Sequence, residues 1–360
     1  MAQLQNKKAI IFSKFFTKKS GGIPHSIISM SKLFTNEVSF DVFSDDGFYK
    51  NISKNHLKEK IPKNKFTNHY DLFLICGSWQ INILFKLLIA KISNKKIIYF
   101  PKGNLAYYEF STYKIVYKLP FFFFYELPKI LLANTIVYSS KLEYDNSIVK
   151  FFTNKKIIIH DYYKLLKNQV ANFKFDQTLN IGFIGQYSHR KSLVESILAI
   201  DILKKNLLSH SIRLYIAGDA LNHRYQTKIN NIISTLYLAQ HIKFVGYLDN
   251  KEKVKFFKKN KIILIPSKFE SYSLVVAEAL NYGALPIMSK NIGITESCST
   301  KFFKINHISP TSIASAITKM VDPVNYDAIL KSRASIIKKI NSEILCGIKK
   351  IKNLINDAYQ

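Results

Sequence analysis

Short apolar runs alternate with longer stretches of helical spacing along most of the chain. Ala9–Ser13 (AIIFS) reads as a first strand, followed by a loop with Gly21-Gly22 and a helix from Pro24 to Phe34. Val38–Phe43 and Asp71–Cys76 are the next strands; a helix at Gln80–Ile92 leads to strands at Lys96–Phe100, Thr135–Tyr138 and Lys156–Ile159. Residues Tyr162–Gln177 are then polar, Lys-rich and without a period. A second series starts at Leu179–Ile184, with strands at Arg213–Ala217, Ile242–Val245, Ile262–Ile265 and Leu285–Met288. Helical patterns at Lys191–Lys205, Tyr225–Leu238, Lys251–Lys258 and Ser273–Tyr282 separate them, and Ser332–Ala358 has helical spacing with no strand partner. Strands alternating with helices predict parallel sheets wrapped by helices. The expected organisation is a Rossmann-like domain over 1–160, a linker over 161–177, a second Rossmann-like domain over 178–331 and a C-terminal helix over 332–360. Two doubly wound α/β domains in series predict a ligand cleft at the carboxyl ends of both sheets.

Composition adds class and charge. The 360 residues are 48% hydrophobic and 21% charged, enough apolar material for folded cores. Cys76, Cys298 and Cys346 are far apart and show no C-x-x-C spacing, which excludes a disulfide scaffold and a zinc ribbon and suits a reducing, cytoplasmic setting. The apolar run near the start is too short for a signal-peptide core, and no window of membrane-spanning length is free of charge. The formal net charge of +29 comes from 49 Lys and 4 Arg against 24 acidic residues. Such a field attracts phosphates and anionic membrane surfaces. Nucleic-acid readers lean on Arg for bidentate contacts, so the scarcity of Arg argues against that class.

The candidate chemistry concentrates after the strand Ile262–Ile265. Pro266-Ser267-Lys268-Phe269-Glu270 is followed by Glu278-Ala279-Leu280-Asn281-Tyr282-Gly283, with a helix beginning near Ser273. One carboxylate then stands on the loop and the second two turns on, while the helix's unpaired N–H groups aim at the place where a diphosphate is stabilised. Taken by itself, a Glu near a helix start is also ordinary dipole chemistry.

The whole stretch, P-S-x-x-E-x7-E-A-x3-G-x-x-P, resembles the signature of retaining glycosyltransferases of the GT-B fold, family 4, on Glu270, Glu278, Gly283 and Pro286. Gly185–Ser192 (GQYSHRKS) is similar to that family's G-R-x4-K-G loop, Ile216-Ala217-Gly218 to its strand-then-Gly turn, and Phe244–Tyr247 to its F-x-G loop. In the first half Gly21-Gly22 resembles the N-terminal glycine pair. Pro101–Leu105 resembles a P-R/H-G-x-L segment of polysaccharide-assembly members. The matches run from residue 9 to 296. The resemblance implies a GT-B fold, two Rossmann-like domains facing each other across a cleft. It also implies transfer of a sugar from a nucleotide-diphosphate donor to a saccharide, and no metal or other cofactor. Asp45-Asp46 before Gly47 accordingly reads as a turn.

On matching positions, the resemblance gives Lys191 the donor diphosphate, aided by backbone N–H groups at Gly22, Ser273 and Leu274. Glu278 is assigned the ribose hydroxyls, Glu270 the hydroxyls of the transferred sugar, and the loop around Gly246 and Tyr247 the base. Gly185 opens the lysine loop. Three positions depart from the pattern: Gln186 replaces an Arg, for which Arg190 is a substitute; Ser192 replaces a Gly; and Lys102 replaces a His or Arg in the first domain. Lys102 keeps a cation there, as a point charge rather than a planar fork.

His25 and Trp79 are candidates for the acceptor side, and His189 lies in the second glycine-type loop. Residues Tyr107–Tyr125 interleave aromatics with Lys114 and Lys118, and the preceding helix carries Lys86, Lys91, Lys95 and Lys96. This pattern suits the surface of an anionic membrane bearing a lipid-linked acceptor, with the protein peripheral on its cytoplasmic face. The alternative is that Phe121–Phe124 form core, since burying a Phe stabilises by about 1.5–3 kcal/mol. Two other function classes stay open: a noncatalytic GT-B-like binding or scaffold protein, and a basic nucleic-acid-binding protein.

Overall fold

The structure is a computed structural model, described over residues 7–16, 22–34, 37–52, 57–59, 69–110, 115–152, 154–161, 164–167, 178–206, 211–220, 222–297 and 303–359. Gly21, Lys114, Cys298 and most of the expected linker lie outside the described residues. The chain divides into two compact units: residues 1–164 with 343–360, and residues 165–342.

The first unit is built on an eight-stranded sheet: β1 (Lys7–Ser13), β2 (Val38–Ser44), β3 (Gly47–Lys50), β4 (Leu57–Glu59), β5 (Leu72–Cys76), β6 (Lys96–Phe100), β7 (Thr135–Tyr138) and β8 (Lys155–Ile158). Their order is β4-β3-β2-β1-β5-β6-β7-β8, parallel except for the antiparallel pairings of β2 with β3 and β3 with β4. That antiparallel extension is absent from the sequence reading. Its turn is Asp45-Asp46, where Asp46 accepts hydrogen bonds from the Phe16 N–H and the Ser44 hydroxyl. The helices are α1 (Gly22–Ser31), α2 (Leu84–Ile92), α3 (Tyr107–Phe110), α4 (Ile115–Phe121), α5 (Leu127–Leu132) and α6 (Lys141–Asp145); a π-helical turn, Phe122–Glu126, joins α4 to α5.

Alternation along β1 explains the two covers. Ala9 and Ile11 face one cluster with Ile27, Met30 and Phe34. Ile10 and Phe12 face another with Leu87, Ala90 and Ile130. The helix read as beginning at Gln80 starts at Leu84, because Ile81–Ile83 form a bend and turn before it.

The second unit carries β9 (Thr178–Ile184), β10 (Ser211–Ala217), β11 (Ile242–Gly246), β12 (Ile262–Ile265), β13 (Leu285–Ser289) and β14 (Lys304–Ile305), all parallel in the order β11-β10-β9-β12-β13-β14. Around it are α7 (Leu193–Asn206), α8 (His223–Thr235), α9 (Asn250–Lys259), α10 (Leu274–Asn281) and α11 (Pro310–Val321), the last missed in the sequence. The terminal helix, α12, begins at Tyr326 rather than Ser332 and runs to Asp357. Its last turns supply Ile351, Leu354 and Ile355 to the core of the first unit.

Candidate functional site

In the second unit, three strands end in glycines with positive φ: Gly185 after β9, Gly218 after β10 and Gly246 closing β11. The Gly185 N–H donates to Ala217 O (3.0 Å) and the Gly218 N–H to Gly246 O (2.8 Å), so the loops are stitched along the carboxyl edge. A Cβ on Gly218 would lie 2.2 Å from Gly185 O, which only glycine avoids. Beyond Gly185, the Tyr187 N–H bonds Asp219 O, and the buried Tyr187 ring meets Phe244 at 5.8 Å. Tyr247 follows, half exposed.

Lys191 ends a short 3-10 turn (His189–Lys191), and Ser192 then takes a left-handed backbone at φ 53°. Glycine adopts that conformation without strain, whereas serine does not. The Ser192 hydroxyl is buried and forms no hydrogen bond. The Lys191 stem passes Gly185, with Cε 3.7 Å from where a Cβ would stand, and its Nζ reaches Glu270 Oε1 at 2.7 Å.

Glu270 is fixed from several sides. The Ser267 hydroxyl donates to the same carboxylate oxygen, the Glu270 N–H bonds Asn291 O (3.0 Å), and Gly293 N–H bonds Glu270 O (3.0 Å). The preceding Lys268 N–H bonds Arg190 O, tying the two loops together. Burial pushes the Glu270 carboxyl pKa up, but the Lys191 charge and hydrogen bond, the Ser267 hydroxyl and the Arg190 charge outweigh it, so it sits below the ordinary value.

Three residues on, Ser273 (φ 84°) precedes α10 with its hydroxyl buried and unbonded, giving no side-chain cap. The first N–H groups of α10, from Leu274 onward, therefore meet no capping oxygen from Ser273 and add the positive end of the helix dipole. Glu278, in the second turn, is paired with Lys253 of α9 at 3.5 Å. The buried Arg333 donates to Leu280 O at 2.6 Å and complements the opposite end of α10. Thus Gly185, Arg190, Lys191, Glu270, Ser273 and Leu274 share one edge. Glu278 sits on the helix they introduce, and Gly246 and Tyr247 are linked to them through Gly218.

Gly22, His25, Trp79 and Lys102 belong to the first unit. Gly22 starts α1 and is exposed; His25 is half buried on the same helix. One residue later the Ser26 hydroxyl accepts from Lys102 Nζ at 3.2 Å. Lys102 has a left-handed backbone (φ 55°), is buried, and forms an ion pair with Asp161, whose other oxygen accepts from Ser139 (2.9 Å). Burial opposes its charge, yet Asp161 raises its pKa overall. Beneath it the buried Glu143 accepts from the N–H groups of Gly103 and Ser139. Burial is the dominant cause that raises Glu143 to about 7.

The Trp79 N–H bonds buried Glu126 at 2.6 Å; Glu126 is also held by Lys129 (2.5 Å) and Tyr99 (2.9 Å). The indole packs on Phe110 and Phe121. Asp161, Glu143, Glu126 and Lys253 are not marked by the sequence. They carry no motif, and only tertiary pairing reveals them.

Residues 167–340 match the family described as Glycosyl transferases group 1. An uncharacterized 41.2 kDa protein in the cps region of Klebsiella pneumoniae is 25% identical over 242 residues; the match covers 62% of this chain and about three fifths (61%) of that protein. Among solved structures, Anabaena Alr3699/HepE in complex with UDP and glucose superposes with a TM-score of 0.74 at 15% identity, over 98% of this chain and 100% of that one. The E. coli trehalose-6-phosphate structure bound with UDP-2-fluoro glucose superposes with a TM-score of 0.66 at 13% identity, over 98% of this chain and 99% of that one. Two parallel-sheet α/β units with these likenesses constitute the GT-B fold.

Proposed function

We propose that this GT-B chain, whose second unit carries the group 1 segment, is a retaining glycosyltransferase. In this reading it moves a sugar from a UDP- or GDP-sugar to a saccharide acceptor, lipid-linked, in surface polysaccharide biosynthesis at the cytoplasmic face of a membrane, without a metal. The observation that carries it is Lys191, drawn across Gly185 onto Glu270 beside the uncapped start of α10. The UDP and sugar in the HepE complex and the cps-region relative support the donor and the setting.

The departing nucleoside diphosphate gains negative charge as the glycosidic bond breaks, so stabilising that charge is the main task. An ammonium has three donors. Glu270 takes one of those of Lys191, leaving others for diphosphate oxygens. The N–H groups of Ser273 and Leu274 and the Arg190 charge act on the same anion. Glu270, kept ionised by its partners, accepts from hydroxyls of the transferred sugar. Glu278 accepts from the ribose and Tyr247 flanks the base. In the same reading the first unit contributes Gly22 and Lys102 toward phosphate, and His25 and Trp79 toward the acceptor.

A binding-only role is the second reading, favoured by Lys102 being engaged by Asp161 and Ser26 and by Gln186 in place of Arg. Incubation with UDP- and GDP-sugars and candidate saccharide acceptors separates the two. Transfer of sugar with retained configuration supports the enzyme, and tight nucleotide binding without any transfer or hydrolysis across the panel supports the binding protein.

A further inference from the structure

The outward faces of two neighbouring helices of the first unit are apolar. On α2, Phe85, Leu88 and Ile92 follow i, i+3, i+7 spacing and are exposed, Phe85 to 72% and Ile92 to 82%, while Leu87 and Ala90 on the opposite face are buried. α5 packs against α2 and ends the rod begun by α4. Along that rod Val116, Leu119, Phe123, Phe124 and Leu131 are exposed. The π-helical turn adds a residue to the winding there, keeping Phe122 and Glu126 inside while Phe123 and Phe124 (72% exposed) point out. Phe121–Phe124 are therefore neither all core nor all surface. Single exposed apolar residues are ordinary, but two adjacent rows are not.

Charge decides what covers them. Between Asp71 and Glu126 the sequence holds one acidic residue, Glu109, against Lys86, Lys91, Lys95, Lys96, Lys102, Lys114 and Lys118. Glu109 is itself matched by Lys118 at 3.5 Å. Lys91 and Lys96 are exposed beside the α2 row. A second copy of the chain would set these lysines against each other.

We infer that the face formed by α2 and the α4–α5 rod docks on an anionic lipid bilayer, with Phe85, Ile92, Phe123 and Phe124 entering the acyl boundary and Lys91 and Lys96 meeting headgroup phosphates. This deepens the reading of a lipid-borne acceptor, yet vesicle binding is read without nucleotide, so either can fail alone.

The test is flotation of the full chain with phosphatidylcholine vesicles, with and without phosphatidylglycerol, at low and high salt. The expected result is binding to the anionic vesicles that weakens with salt. Phe85→Ser/Ile92→Ser and Phe123→Ser/Phe124→Ser should each lower the partition coefficient by roughly tenfold with an unchanged melting temperature, whereas Val324→Ser, exposed on the second unit, leaves it unaltered. Equal binding to both vesicle types, full binding by both double variants, or a dimer in sedimentation that those variants dissolve would each overturn the inference.

Discussion

Lys191 Nζ and Glu270 Oε1 meet at 2.7 Å across 79 residues of sequence, joining the loop after β9 to the loop after β12. The pair is mostly buried, so removing one partner strands the other. Lys191→Ala should cost about 1–3 kcal/mol at neutral pH, below the range for fully buried pairs because some solvent reaches this one. The sign follows from linkage. Glu270 has a lowered pKa in the fold and stabilises above its unfolded value, a contribution lost as pH falls through the folded pKa. Chemical denaturation of both proteins should therefore show a deficit at pH 7 that shrinks in acid, as pH falls toward the lowered folded pKa of Glu270.

Gly218 tests the stitched edge. With φ 119° and a would-be Cβ 2.2 Å from Gly185 O, Gly218→Ala must displace backbone. The expected cost is about 2–3 kcal/mol with a matching loss of nucleotide affinity. Unchanged melting and affinity would place the Gly185 loop elsewhere.

Ser192 gives the opposite sign. Its left-handed backbone and buried unbonded hydroxyl both disfavour serine. Ser192→Gly should raise stability by about 1 kcal/mol, seen as a higher melting temperature.

Glu143 links the first unit to pH. Its carboxyl, raised to about 7 chiefly by burial, binds a proton in the fold at pH values where the unfolded chain has lost it. Stability should accordingly fall as pH rises from about 4.5 to 7 on this group's account. Glu143→Gln should flatten that slope, while costing about 1 kcal/mol at pH 5 because one backbone N–H loses its acceptor. A parallel slope in the variant would assign the effect to another group.

The alternation of both sheets and the motif from Pro266 to Gly283 were legible because each strand and helix writes its own period. The antiparallel pair β3 and β4 was not, since Gly47–Lys50 is too short to show alternation. Nor was α11, which lies between a two-residue strand and the long terminal helix. Lys191 and Glu270 were visible by motif, but their mutual contact was not. Lys102 was read as a cation without its partner, because Asp161 stands 59 residues away in a stretch of no recognisable pattern. The two faces of α2 show the limit of periodicity: Leu84–Ile92 is apolar nearly all round, and only the packing tells which row is covered.

Calorimetric titration of UDP and GDP into the wild type, Lys191→Ala and Glu278→Ala tests the central claim most directly. The account predicts that one nucleotide binds the wild type and that each substitution weakens it at least tenfold, about 1.4 kcal/mol or more. Binding of neither nucleotide, or equal binding to all three proteins, would contradict it.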